Sequence, residues 1–144
     1  MSSVNEESDK FAQDVASIMY ARDIAAQKLG IKLEKIKEGY AELSMVVEGW
    51  MIQGHDICHG GFIFSLADTA MAYASNSRNK VNVAMSANID FLRPAKLSDR
   101  LIAIAVEGNK TKNTGMYDVK VFADTKILLC HFRGRTFNNQ SDVI

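Results

Sequence analysis

The stretch from Gly61 to Asn76 constrains this chain more than any other, because it has the length of a helix and is apolar on nearly every side. Phe62, Ile63, Phe64, Leu66, Ala67, Ala70, Met71, Ala72, Tyr73 and Ala74 leave almost no polar face. A helix with apolar residues all round must be buried over most of its circumference. The segment is too short for the roughly 20 apolar residues that cross a bilayer. The rest of the chain must therefore wrap around it. Ala67, Ala70 and Ala74 would let a sheet approach closely, and Asp68 stands in the middle as the segment's one charge.

The flanking sequence supplies that wrapping. Phe11, Val15, Ile18, Ala25 and Leu29 fall on one helical stripe, which predicts a first helix over about 9–29, stopped at Gly30. The period then changes to two. Ile31, Leu33 and Lys35 alternate with charged neighbours, Glu38-Gly39 reads as a turn, and Ala41, Leu43, Met45 and Val47 form a second strand. Gly49 to Cys58 has no periodicity and reads as a loop. Beyond the apolar helix, Val81, Val83, Met85, Ala87, Ile89 and Phe91 alternate strictly until Pro94. Three further strands follow, over Leu101–Val106, Tyr117–Ala123 and Ile127–Phe137, joined by a polar connection at 109–115 and a turn at 124–126. Helix, two strands, buried helix and four strands predict an α+β fold, an antiparallel sheet curled around one long central helix. A doubly wound α/β fold would need helices alternating with strands.

At 144 residues the chain has the size of one domain, residues 1–144 with the N-terminal helix at 9–29. Lys+Arg and Asp+Glu balance at 17 each, and no basic stripe stands out, so neither nucleic acid nor a membrane surface is an expected partner. Two cysteines, Cys58 and Cys130, are too few for a disulfide scaffold. Met1 to Lys10 is polar and acidic and lacks the pattern of a secretory signal, so a cytoplasmic location is expected. No glycine-rich nucleotide loop is present, which gives no support to ATP or NAD.

Asp68 is the chemical anomaly. A carboxylate within the most apolar segment is either satisfied by nearby donors, with Ser65 and Thr69 at hand, or kept for catalysis. His59-Gly60-Gly61 opens the same helix, where free backbone N–H groups and the positive dipole end suit a developing oxyanion. The alternative is that the two glycines simply start the helix. Gly60 and Asp68 are separated by about 12 Å of helical rise, too far to serve one carbonyl from a single chain. If they cooperate, they come from two subunits. His55, Cys58 and His59 lack the spacing of a zinc site, and adjacent Cys58 and His59 point apart in extended chain, so no metal is expected.

With those residues in view, the sequence resembles the phenylacetate-degradation thioesterases of the hotdog superfamily. The likeness is carried by Gly54-His55-Asp56-Ile57-Cys58-His59-Gly60-Gly61, Phe64-Ser65-Leu66-Ala67-Asp68-Thr69-Ala70 and Ala72-Tyr73-Ala74-Ser75-Asn76-Ser77. It continues through Ile89-Asp90-Phe91-Leu92-Arg93-Pro94, Gly115-Met116-Tyr117-Asp118 and Phe132-Arg133-Gly134, spanning about Ala21 to Gly134. The resemblance implies a hotdog dimer, often paired into a tetramer, with acyl-coenzyme A sites at the dimer interface. It implies Asp68 as nucleophile or general base, Gly60 as N–H donor to the thioester oxygen from the partner subunit, and His59 beside it. One departure is Gln53, where several relatives carry an Asn that helps place the attacking water or the thioester. Gln keeps the amide and adds a methylene.

The implied reaction is hydrolysis of an aryl-acetyl or hydroxylated aryl-acetyl coenzyme A, with coenzyme A part of the substrate and no separate cofactor. Arg93, Lys110 and Lys112, on connections at strand ends, are candidates to hold its phosphates, or are simply solvated. Two rival readings are a hotdog hydratase, which would carry an Asp-and-His pair close together on the helix, and a non-catalytic acyl-coenzyme A binder.

Overall fold

The structure, a computed structural model, describes residues 2–124 and 126–144. Two N-terminal helices, α1 (Ser2–Arg22) and α2 (Ile24–Lys28), precede strands β1 (Lys32–Lys37) and β2 (Tyr40–Val46). The long helix α3 (Gly60–Ser75) follows, and then β3 (Lys80–Phe91), β4 (Arg100–Lys110), β5 (Thr114–Ala123) and β6 (Ile127–Asp142). The six strands form one sheet in the order β1-β2-β4-β5-β6-β3, antiparallel at every pairing. The chain is α+β, with the sheet curled around α3 as its periodicity predicts.

Close approach is what seats α3. Ala67, Ala70 and Ala74 are fully buried, in one core with Leu43 and Met45 of β2, Ala103 of β4 and Val119 of β5. Met71 packs so tightly on β6 that a Cβ at Gly134 would lie 2.3 Å from its sulfur. At its C-terminal end the helix is tied down by polar groups. Ser77 Oγ accepts from Gly39 N–H at 2.8 Å, and Arg78 pairs with Glu38 and Glu107 at 2.6 Å each. Gly39 sits at φ +71°, the left-handed turn conformation that favours glycine.

Four expectations are corrected. The first helix is not continuous over 9–29: it begins at residue 2 and breaks at Asp23. Asp23 caps α2 by accepting from Ala26 N–H at one carboxylate oxygen and takes the Tyr73 hydroxyl at 3.1 Å on the other, so the break ties the N-terminal helices to α3. The buried face of α1 is Ala12, Val15 and Ala16, while Phe11 and Ile18 are exposed, because only small residues let the helix lie close. In β1 a bulge between Leu33 and Lys35 shifts the alternation, so Ile36 enters the core and Lys35 stays out. Strands β4 and β6 run longer than their apolar pattern, to Lys110 and Asp142. The turn read at 124–126 includes Thr125, and the polar N-terminus includes Met1, both outside the described residues.

The two edges of the sheet differ. On β1, α1 lies close enough for Gln13 Nε2 to donate to the Ile36 carbonyl at 3.3 Å. On β3, nothing among the described residues pairs with the edge, and its apolar alternation is left in the open, with Val83 53% and Met85 57% exposed. No helix among the described residues is long and apolar enough to cross a membrane.

Candidate active site

The segment before α3 has no regular structure, yet it is fixed at many points. Residues 49–51 make one 3-10 turn, Ile52 bridges to Cys58, and Cys58 N–H donates to the carbonyl of buried Ala95 at 2.8 Å. Gln53 organises the tip: its N–H reaches Ile57 O at 2.9 Å, its carbonyl accepts from Asp56 N–H, and its side-chain oxygen accepts from His55 N–H. Asp56 stands at φ +63°, as such a tight tip requires. The amide oxygen of Gln53 is therefore committed to the loop, while its NH2 group has no acceptor among the described residues.

His59 ends this segment and caps α3. Its N–H is held by Met51 O at 2.8 Å, and its Nδ1 accepts from Gly61 N–H at 2.9 Å. That acceptor role places the ring proton on Nε2. Phe62 N–H turns back to His59 O. Gly60 N–H alone in this first turn has no acceptor among the described residues. The ring of Phe91, from the end of β3, lies over Gly60, and a Cβ there would come within 2.9 Å of it. Glycine is required at this position for space. Sequence reasoning read Phe91 only as a strand residue. A contact between positions 31 residues apart leaves no local pattern to find it by.

Asp68 lies two turns further along, not in the sheet-facing core. Ser65, Asp68, Thr69 and Ala72 form a strip of α3 that is only partly covered. The reading in which Ser65 and Thr69 satisfy the carboxylate is corrected: Ser65 Oγ donates to Gly61 O at 2.9 Å and Thr69 Oγ1 to Ser65 O at 2.6 Å. No hydrogen bond reaches Asp68 among the described residues, and burial alone holds its carboxyl above the ordinary aspartate range. An unpartnered carboxylate with raised proton affinity is suited to act as a base or nucleophile.

The thiols are not so disposed. Burial raises Cys58 and pushes Cys130 up to about 11, which leaves both protonated. The three candidate phosphate-binding cations do not come together within one chain. Arg93 donates to Leu128 O at 2.7 Å and, with Lys96 and Lys126, lines a cleft of about 520 Å³ at the start of β4. Lys110 and Lys112 are exposed at the far end of that strand, roughly 30 Å away by strand rise.

A curled antiparallel sheet around one helix, with a free N–H at the helix start and a lone carboxylate along it, defines a hotdog thioesterase. Residues 55–130 match the thioesterase superfamily, and the chain belongs to that family. The sequence is 43% identical over 121 residues to the acyl-coenzyme A thioesterase PaaI of Escherichia coli, covering 84% of this chain and 86% of that protein. The structure of the E. coli PaaI protein, from the phenylacetic acid degradation operon, superposes with a TM-score of 0.92 at 40% identity, over 93% of this chain and 97% of that one. The phenylacetic acid degradation protein PaaI of Thermus thermophilus, solved as a mutant, gives 0.74 at 37% identity, over 78% and 96%.

Proposed function

We propose that this protein hydrolyses acyl-coenzyme A thioesters to the free acid and coenzyme A, with aryl-acetyl groups as the acyl class. The observation that carries the reading is a pair of unsatisfied groups on one helix, the Gly60 N–H and the Asp68 carboxylate. About 12 Å of helical rise separates them, so each site takes Gly60 from one subunit and Asp68 from another. The open β3 edge, with its exposed apolar stripe, is where the second copy continues the sheet. A two-fold axis there exchanges the sheet's ends, bringing Arg93 of one copy to the side that carries Lys110 and Lys112 of the other. These cations then share the phosphates of one coenzyme A.

In the reaction, the thioester oxygen accepts from Gly60 N–H, aided by the helix dipole, and negative charge grows there in the transition state. His59 fixes the first turn that presents this donor, and the free NH2 of Gln53 lies to hand for the thioester or water. Asp68 works in one of two ways. As a nucleophile, it attacks the carbonyl carbon, expels the coenzyme A thiolate and leaves a mixed anhydride that water cleaves. As a base, it takes a proton from water, whose hydroxide attacks and expels the same thiolate. Thiol release from a panel of acyl-coenzyme A thioesters tests the proposal. The expected result is turnover by the wild type and a loss on the order of a thousandfold in a folded Asp68→Asn variant. Near-normal turnover by that variant would sink the assignment.

A further inference from the structure

We infer that Trp50 is a specificity residue, whose indole face forms the wall against which the acyl group lies. The inference rests on the thioesterase reading and names the part of the site that chooses the substrate. Trp50 is the chain's only tryptophan, and it is 56% exposed. An exposed aromatic of this size is ordinarily mobile, but this one is fixed. Its backbone lies in the 3-10 turn closed by Met51 N–H to Glu48 O at 2.9 Å, and its Nε1 donates to Glu48 Oε2 at 2.5 Å. Its ring meets Phe62 edge to face, centroids 5.1 Å apart at 84°.

Phe62 in turn lies 5.9 Å from the His59 ring, so the aromatic pair flanks the turn that presents the Gly60 N–H. A carbonyl accepting that hydrogen bond has an apolar wall beside it. Because Glu48 already takes the indole N–H, the surface Trp50 offers a ligand is its π-face, which suits an aromatic or alkyl body and gives no partner to an amide. The arm of coenzyme A is rich in amides, whereas an aryl-acetyl group sets a flat ring one methylene from the carbonyl. The wall therefore belongs to the acyl side of the thioester, and it favours flat aryl groups over extended alkyl chains.

The test compares wild type, Trp50→Gln and Trp50→Phe, each with unchanged assembly by sedimentation, on phenylacetyl-coenzyme A and hexanoyl-coenzyme A. Trp50→Gln is expected to lower kcat/KM for the aryl substrate about five- to tenfold, the size of one aromatic pairing. Its effect on the alkyl substrate should stay within about twofold, and Trp50→Phe should restore most of the preference. Equal losses on both substrates, or none, would overturn the inference while leaving the thioesterase reading intact. Absence of thiol release by the wild type would remove both. A second readout uses the single tryptophan as its own probe, in the Asp68→Asn variant that leaves substrate whole. Phenylacetyl-coenzyme A should change the emission, while coenzyme A and acetyl-coenzyme A should not. An equal response to coenzyme A alone would assign the ring to the carrier arm and overturn the inference. So would an indole already shielded from acrylamide without ligand, which would mean that a neighbouring subunit covers it.

Discussion

Asp68 is partly buried, with no hydrogen bond among the described residues to offset the desolvation of its charge. The sign of the consequence is fixed. A carboxyl whose proton affinity is higher folded than unfolded contributes stability that is fully present below its unfolded pKa. That contribution is lost as pH rises through the raised folded value, so at neutral pH the ionised form destabilises the fold. Asp68→Asn should therefore melt above wild type at neutral pH. The gap should close as the solution is acidified below the ordinary aspartate range. Thermal melts of both proteins across pH check this, and parallel curves would mean a solvated carboxylate. The same raised affinity should move the acid limb of the wild-type kcat/KM profile above that range. Ser65 and Thr69 could have quenched this behaviour, but each spends its hydroxyl on the carbonyl one turn back, as helical Ser and Thr commonly do.

Helix α3 keeps its place because alanines among its buried residues let the sheet approach, and where the bulkier Met71 meets β6 the sheet answers with a glycine. At Gly134 an added Cβ would meet Met71 Sδ at 2.3 Å and Phe132 Cε1 at 2.9 Å, both on buried side chains. Gly134→Ala should cost about 1–3 kcal/mol of stability through overpacking. Urea unfolding measures it, and an unchanged midpoint would mean the helix can slide. Elements with strong periodicity were legible in the sequence: α3, and the inward sets Ala41, Leu43 and Met45 of β2 and Val119 and Val121 of β5. The carboxylate and the glycine pair of the candidate site stand out in the sequence for a similar reason, as residues at odds with their surroundings. What the sequence hid was decided at long range. Asp23 breaks the first helix for a hydroxyl 50 residues away, the β1 bulge reassigns Ile36, and Phe91 closes over Gly60 from another element. The period of the β3 stripe is legible in the sequence and its exposure is not, because alternation reports an apolar face without saying whose surface covers it.

At the scale of the whole molecule, the proposal of a shared site makes a strict demand on mixed assemblies. Gly60→Pro removes the N–H, and the backbone position suits proline: Gly60 is the first residue of α3, and His59 already lies at ψ 129°, the extended region that precedes proline. The Phe91 ring must move aside, so the variant's fold is to be verified by circular dichroism. Heterodimers of Gly60→Pro with Asp68→Asn carry one site with both defects and one with neither. They should recover up to about half the wild-type activity while each parent homodimer stays nearly inactive. Mixed dimers as dead as their parents would refute the shared site. The unequal treatment of the two sheet edges bears on a different hazard. A sheet open on both sides can add neighbours without limit and grow into a filament, the route by which strand proteins aggregate. Here α1 lies along β1 and only β3 is bare, so a copy that joins there turns its own covered edge outward. In the proposed dimer, growth along the hydrogen-bonding direction would terminate after a single addition, with the N-terminal helix as the stopper.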